Sequence, residues 1–269
     1  MLKVISFTIC PFVQRVTALL EAKQIPYQVE YISLSDKPQW FLDLAPNGQV
    51  PLLLTEQGEV LFESDAIVEY LEEAYPALQP QLSPVQKAQN RAWSYLGSKQ
   101  YLVQCSAQSS KDSNTLRQRS EKLARAFAKV EQVLDQHRFF NSDTLSMVDI
   151  AWLPLLHRAD LIRQHSGYDF LAGFPKVQAW QQAVLTTGLA ERSVSAEFDR
   201  AFADYYLSDK TLLGRCQWDC QSCDCSANSL EPACCEPAQP AADIQRCTPL
   251  PAANGCCGST GCGDDSRCG

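Results

Sequence analysis

Short apolar stretches and an amphipathic pattern alternate along the first part of the chain. An apolar stretch at residues 2–9 is followed by a proline and by apolar positions at helical spacing over residues 12–20, which predicts a strand and then a helix. Residues 27–34 alternate apolar and polar side chains and predict a second strand. A helix between two strands favours their parallel pairing in one sheet.

Two further apolar runs, at residues 50–54 and 59–62, predict a hairpin with Gly58 in its turn. A helical pattern begins directly afterwards, with Ser64 as the expected N-cap. We expect this helix to end before Pro76, because proline cannot continue a helix.

From residue 85 onwards the apolar positions recur at helical spacing. The segment Ser146–Asp149 is close to a capping box and predicts the start of a helix, in which Pro154 should cause a kink or remove a hydrogen bond. We give Ser146 and Asp149 a folding role and no catalytic one. Regular structure is expected to fade near Tyr206. Four regions follow, at residues 1–78, 79–84 (a proline-containing linker), 85–210 (all helical) and 211–269 (a tail).

Composition narrows the functional classes. The chain has 269 residues, of which 45% are hydrophobic, so it is long enough for two packed domains and a tail. Its net charge of −8 argues against a general affinity for nucleic acid. We find no stretch long and apolar enough to span a membrane and no secretory signal pattern, so we expect a cytoplasmic protein without membrane partners.

Cys10 is the best candidate for chemistry, because it stands where the first predicted helix begins and is followed by Pro11, which suits a first helical position. A thiol at this place faces unpaired backbone N–H groups and the positive end of the helix dipole. Such cysteines have pKa values of about 3.5 to 7.5 instead of about 8.5. The three histidines, His137, His157 and His165, lack companions at metal-ligand spacing, and we interpret each as a surface or capping group.

Four segments occur in the order and spacing found in cytosolic glutathione transferases: Cys10-Pro11-Phe12, Lys37-Pro38-x-Trp40-Phe41, Asn47-Gly48-x-Val50-Pro51 and Glu63-Ser64-x-Ala66-Ile67. Together they most resemble the omega-like, cysteine-type class. The resemblance implies an α/β thioredoxin-like N-terminal domain followed by an all-α C-terminal domain. It covers residues 1–76 in detail and leaves the tail unaccounted for.

The same resemblance implies roles for individual residues. Cys10 would form a mixed disulfide with glutathione, and Phe12 belongs to the same binding segment. Val50–Pro51 would be a cis peptide whose first residue pairs with the cysteinyl backbone of glutathione. The γ-glutamyl carboxylate would bind Ser64 at a helix N-terminus, the ligand's ammonium would meet Glu63, and Lys37 would meet the glycyl carboxylate.

We therefore expect a glutathione-dependent thiol transferase or reductase. Glutathione would be its co-substrate, and its partners would be a small electrophilic or disulfide substrate and, in a homodimer, a second copy of the chain. Omega-like relatives reduce dehydroascorbate, deglutathionylate proteins and thiolyse S-glutathionyl conjugates, and the sequence does not choose among these reactions.

Three alternatives remain open. The first is a non-catalytic binding protein of the same fold, similar to the stringent starvation proteins. The second is a relative of the chloride intracellular channel family, which shares a Cys-Pro-Phe-x-Gln-Arg stretch. The third is a metal- or metalloid-handling protein whose transferase body supplies glutathione.

The tail concentrates thiols, and its residues 216–269 contain seven acidic residues, two arginines and few large apolar residues. It therefore cannot build a hydrophobic core, and we expect it to be largely disordered unless metal orders it. Thiolates at this close spacing favour Zn²⁺ or Cu(I); a disulfide framework and a flexible acidic extension without a ligand are the alternatives. Eleven of the 13 cysteines are the candidate metal ligands: Cys216, Cys220, Cys223, Cys225, Cys234, Cys235, Cys247, Cys256, Cys257, Cys262 and Cys268.

Overall fold

The structure, a computed structural model, describes residues 1–215. Its N-terminal part contains four strands and three helices, and the apolar patterns predict all of these except the short helix at residues 39–44. In chain order these are β1 (Leu2–Ser6), α1 (Pro11–Ala22), β2 (Tyr27–Tyr31), α2 (Gln39–Leu44), β3 (Leu52–Leu54), β4 (Val60–Phe62) and α3 (Ser64–Ala74).

The four strands form one mixed sheet in the order β2-β1-β3-β4. Strand β1 pairs with β2 in parallel and with β3 in antiparallel register, with Ile5 opposite Leu52. Strand β4 is antiparallel to β3, with Phe62 opposite Leu52. The end of β1, the start of β3 and the end of β4 therefore lie at the same edge of the sheet. The thioredoxin-like domain is confirmed.

Strand β2 is shorter than the predicted residues 27–34. The amide of Ile32 still donates to the carbonyl of Ser6 over 2.9 Å, but β1 ends at Ser6. Beyond this point the chain has no strand to pair with. The predicted hairpin is confirmed, and Gly58 has a φ of +85° in its turn.

The named elements of residues 84–215 are all helices, which confirms the predicted all-α domain. The helices are α4 (Pro84–Ser98), α5 (Tyr101–Gln108), α6 (Ser113–Val133), α7 (Met147–Ser166), α8 (Pro175–Leu185), α9 (Leu189–Arg192), α10 (Phe198–Tyr206) and α11 (Leu212–Arg215). Both leucines of α11 are buried against the other helices. The exact limits of the four predicted regions stay predictions.

Helix α7 begins at the predicted capping box. The hydroxyl of Ser146 accepts from the backbone N–H of Asp149, and the Asp149 carboxylate accepts from the backbone N–H of Ser146 over 2.7 Å. Pro154 lies inside the helix, as expected. Most residues of α7 are buried on all sides, so this helix forms the centre of the C-terminal domain.

Helix α1 is also buried along most of its length, because it lies between the sheet and α7. The start of α1, and with it Cys10, is therefore packed against both domains. Within residues 1–215, no helix combines the length and apolar character needed to cross a bilayer.

Candidate functional site

Cys10 occupies the N-cap of α1, at the sheet edge where β1 ends. Its amide donates to the carbonyl of Phe7 over 3.0 Å, and its carbonyl accepts from the amide of Gln14 over 3.1 Å. No side chain caps this helix. The amides of Phe12 and Val13 therefore point to the sulfur of Cys10, and both favour its thiolate.

Burial has a larger effect on this thiol than these amides. It raises the pKa of Cys10 above the ordinary value for a cysteine, while the amides of Val13 and Phe12 and the charge of Arg158 lower it by less. The expectation of a lowered pKa is therefore wrong. The sequence shows the helix N-terminus, but it does not show how closely apolar groups surround the sulfur.

A buried cation lies beneath Cys10. Arg158 of α7 has no exposed surface, and its guanidinium donates to the carbonyls of Ile9 and Pro154, each over 3.1 Å, and to the side-chain carbonyl of Gln14. Within residues 1–215 it has no carboxylate partner. All its acceptors are neutral, so its positive charge is available to stabilise an anion nearby. Sequence reasoning missed Arg158, although a lone charge inside the apolar run of α7 is a visible signal.

His157 is not the surface or capping group that we expected. It is buried, its Nδ1 lies 2.9 Å from the side-chain amide of Gln14, and its ring stacks on Phe198 at 5.4 Å between centroids. Burial, with a smaller contribution from Arg158, lowers the pKa of His157 to about 3, so the ring is neutral at pH 7. His137 and His165 are exposed, as expected.

The Val50–Pro51 peptide is cis, as predicted. Pro51 is buried directly before β3, and Val50 is half-buried. The register of β3 with β1 places this peptide beside the chain that leads to Cys10. The two predicted glutathione-binding positions therefore lie at the same sheet edge as the candidate nucleophile.

Glu63 and Ser64 follow β4 at that edge. The prediction that Ser64 caps α3 is wrong: Glu63 occupies the N-cap, and Ser64 is the first helical residue. Ser64 is buried, and its hydroxyl has no hydrogen-bond partner among residues 1–215. The backbone of Glu63 has a φ of +66°, which is unfavourable for a residue with a side chain. Its exposed carboxylate accepts from the side-chain amide of Asn47 over 2.7 Å.

Lys37 lies between β2 and α2, and its side chain contacts the loop before β3. Its ammonium donates to the carbonyl of Gly48 over 2.8 Å, and Gly48 has a φ of +61°. Lys37 forms no ion pair within the described part of the chain. Its charge is held in place and is free to meet a ligand carboxylate.

Phe12 lies in the first turn of α1, two residues after Cys10. Its ring meets Tyr101 of α5 edge to face, with 5.0 Å between centroids. The structure therefore places Phe12 at the contact of the two domains, where it packs against protein.

The arrangement offers a thiol, a helix N-terminus with free donors, one cation and one carboxylate. These groups match the groups of a short peptide that has a thiol, two carboxylates and an ammonium. Within residues 1–215 no cluster of three or more histidine, cysteine or acidic side chains has the geometry to hold a metal ion. The eleven predicted metal ligands, Cys216 to Cys268, lie outside the described residues.

Comparisons with known proteins show which family the chain resembles. Family profiles described as glutathione S-transferase, N-terminal domain, and glutathione S-transferase, C-terminal domain, match residues 9–74 and 114–183. Glutathione S-transferase omega-1 of Sus scrofa is 33% identical over 217 residues, which cover 78% of this chain and 87% of that protein. Glutathione S-transferase DHAR2 of Arabidopsis thaliana is 34% identical over 58% of this chain and 70% of its own length.

A solved structure extends the likeness to three dimensions. Glutathione transferase Omega 3C from Trametes versicolor superposes with a TM-score of 0.61 at 26% identity and covers 72% of this chain and 89% of its own. The protein therefore belongs to the glutathione S-transferase family, and omega-class enzymes are among its relatives.

Proposed function

We propose that this protein is a glutathione-dependent thiol transferase or reductase in which Cys10 carries the glutathionyl group. One observation carries the proposal: a cysteine stands at an uncapped helix N-terminus, at the same sheet edge as the cis Val50–Pro51 peptide and the open N-terminus of α3. The omega-class and DHAR relatives support a glutathione-dependent reaction at the level of the family.

Glutathione would bind across this edge by charge and shape. Its γ-glutamyl carboxylate would accept from the hydroxyl and amide of Ser64, and its ammonium would face Glu63. Its cysteinyl backbone would pair with Val50 beside Pro51, and its glycyl carboxylate would meet Lys37. Phe12 would border the glutathione sulfur on the side of α5.

The reaction needs no metal or redox cofactor. The Cys10 thiolate attacks the glutathione sulfur of a mixed disulfide, the bond between the two substrate sulfurs breaks, and the released thiolate takes a proton. A second glutathione thiolate then attacks the glutathione sulfur on Cys10, which releases oxidised glutathione and restores the Cys10 thiolate. The net change is one mixed disulfide and one glutathione into one thiol and one oxidised glutathione.

The first step depends on the protonation of Cys10. Because burial raises the pKa of the thiol in the ligand-free protein, the thiolate fraction should grow as the pH rises above neutrality. Arg158 and the amides of Phe12 and Val13 favour the Cys10 thiolate, and they therefore limit the rise in the pKa of this thiol.

Turnover with a glutathione mixed disulfide tests the proposal against its alternatives. Glutathione-dependent release of the second thiol, measured by coupled reduction of oxidised glutathione, is the expected result. Tight binding of glutathione without any turnover would favour the non-catalytic binding protein. Association with liposomes in place of turnover would favour the chloride-intracellular-channel hypothesis.

We further propose that the tail binds soft metal ions such as Zn²⁺ or Cu(I). Only the sequence supports this part, through its Cys-x-x-Cys, Cys-x-Cys and Cys-Cys pairs between residues 220 and 257. Elemental analysis of the full chain purified without chelator should find several metal ions per chain. Metal-free protein whose tail thiols all react with an alkylating agent would contradict it.

A further inference from the structure

A second thiol lies in the C-terminal domain, on helix α5. Residues 1–215 contain two cysteines, both unpaired and half-buried: Cys10 and Cys105 of α5. Helix α5 runs beside α7 in the same direction, because the hydroxyl of Tyr101 donates to the carbonyl of Ala151 and the amide of Gln104 donates to that of Leu155 over 2.9 Å. This register places Cys105 level with the turn of α7 that ends at Arg158.

Helices α5 and α7 also contact the residues on either side of Cys10. Arg158 donates to the carbonyl of Ile9, the residue directly before Cys10, over 3.1 Å. Phe12, two residues after Cys10, contacts the ring of Tyr101, one helical turn before Cys105. The two thiols therefore flank one aromatic contact and one guanidinium, although 95 positions separate them in the sequence.

Arg158 lies close to both sulfurs. It is fully buried, its Nε has no hydrogen-bond partner among residues 1–215, and no carboxylate neutralises it there. Burial lowers the pKa of this guanidinium, and the groups that oppose the shift are Cys105 first, then Cys10, Tyr206 and Tyr101. A buried cation without a carboxylate partner among residues 1–215 therefore lies close to both thiols, and it favours the thiolate of Cys10.

Tyr206 of α10 adds a proton donor. Burial and the neighbouring Cys105 raise the pKa of the Tyr206 hydroxyl, which therefore stays protonated and donates to the Cys105 sulfur. Cys105 thus has the guanidinium of Arg158 and the hydroxyl of Tyr206 as neighbours.

We propose that Cys105 is the resolving thiol for Cys10. This step rests on the proposed function, which delivers a glutathionyl group to Cys10. The Cys105 thiolate attacks the sulfur of Cys10, the bond between Cys10 and glutathione breaks, and a Cys10–Cys105 disulfide forms. The proton lost by Cys105 ends on the released glutathione, so the oxidising equivalent comes from the original disulfide substrate alone. Two further glutathione molecules then reduce the internal disulfide.

Peptide mapping of the full chain tests the inference. The protein is exposed briefly to oxidised glutathione, quenched with N-ethylmaleimide and digested with trypsin, which isolates Cys10 in residues 4–15 and Cys105 in residues 100–111. The variants are C105S and, as a matched control, C105S/S106C, which keeps one thiol on α5 but moves it to the exposed residue 106. Mass spectrometry measures the glutathione adduct on residues 4–15 and the cross-linked pair of peptides.

In the wild type, we expect the cross-linked pair to replace the adduct. In C105S and in the matched control, the adduct should persist at about tenfold higher occupancy or more, because an intramolecular thiol outcompetes dilute glutathione. Equal adduct occupancy in all three proteins, or a disulfide from Cys10 to a tail cysteine, would overturn the role of Cys105 and leave the proposed function intact. Cys10 without any adduct or cross-link in C105S would overturn the proposed function itself.

Discussion

The N-terminus of helix α7 is closed by its own side chains, whereas those of α1 and α3 are open. At α7, the capping box of Ser146 and Asp149 satisfies the first backbone N–H groups. The Asp149 carboxylate also accepts from the amide of Phe140 over 2.9 Å and from the indole of Trp180 over 2.7 Å. At α1 and α3 the N-cap residues are Cys10 and Glu63, and neither forms a side-chain cap.

The difference separates folding from binding. A side-chain cap is worth about 0.5 to 2 kcal/mol, so two open N-termini at one sheet edge forgo stability that α7 retains. Their free N–H groups remain available for a thiolate at Cys10 and a ligand carboxylate at Ser64. Glu63 adds a second cost through its positive φ, and such outliers concentrate at functional sites.

Removing the Asp149 carboxylate should produce the largest loss of stability. Asp149→Ala leaves donors of Ser146, Phe140 and Trp180 buried without an acceptor, which should lower the free energy of unfolding by about 3 kcal/mol or more. Urea denaturation measures it, with Asp143→Ala in the exposed loop as control. A loss below about 1 kcal/mol would show that this box does not carry the stability that we assign to it.

Acid should destabilise the folded protein through His157, which contacts Gln14 of α1. Its pKa is about 3 in the folded chain and about 6.5 when unfolded, so between these values only the unfolded chain binds the proton. The stability from neutral His157 is complete above pH 6.5 and falls by about 1.4 kcal/mol per pH unit as the pH decreases toward 3. Denaturation midpoints from pH 7 to 4 should therefore fall more steeply in the wild type than in His157→Gln. Parallel slopes would contradict a buried neutral His157.

A pair of serine variants sharpens the contrast between open and closed helix starts. Ser64→Ala should weaken glutathione binding by about 1 to 3 kcal/mol and leave stability nearly unchanged, because the Ser64 hydroxyl caps nothing. Ser146→Ala should do the reverse, with about 1 to 2 kcal/mol of lost stability and normal binding. Calorimetric titration with glutathione and urea denaturation give both quantities. If both variants lost the same property, the two termini would not differ as described.

The smallest expected effect concerns the backbone of Glu63. Glu63→Ala and Glu63→Gly both remove the carboxylate, but only glycine adopts a φ of +66° without strain. The glycine variant should be more stable than the alanine variant by about 1 kcal/mol, and both should bind glutathione more weakly than the wild type. Equal stability of the two variants would show that the positive φ stores no strain.

Local patterns of the chain predicted the elements, and the family resemblance predicted their arrangement. The strands, the hairpin, the helices of the C-terminal domain and the capping box at Ser146 follow from spacing within single segments. The thioredoxin-like arrangement followed from the resemblance, because no local pattern relates β1 to its antiparallel neighbour β3. The short helix α2, Gln39–Leu44, was not predicted, because six residues contain too few turns to show a period. The cis Val50–Pro51 peptide followed from the family resemblance and not from local chemistry.

The candidate site was predictable only in part. Cys10, Val50, Pro51, Glu63 and Ser64 meet at one sheet edge because the strands that precede or follow them are paired. The sequence did not predict the hydrogen bonds beneath Cys10, because the partners Gln14 and Arg158 lie 144 positions apart. The raised pKa of Cys10 has the same origin, because desolvation depends on packing from distant segments.

Thiol transfer by Cys10→Ser tests the central claim most directly. With glutathione and bis(2-hydroxyethyl) disulfide as substrates, the variant should lose about a thousandfold or more of kcat, because serine cannot form the mixed disulfide. Its urea denaturation midpoint should match that of the wild type, and Ser106→Ala, which removes an exposed hydroxyl of α5, should retain full turnover. The account predicts this loss without unfolding. Turnover by Cys10→Ser within about tenfold of the wild type would contradict it, because another group would then carry the glutathionyl transfer.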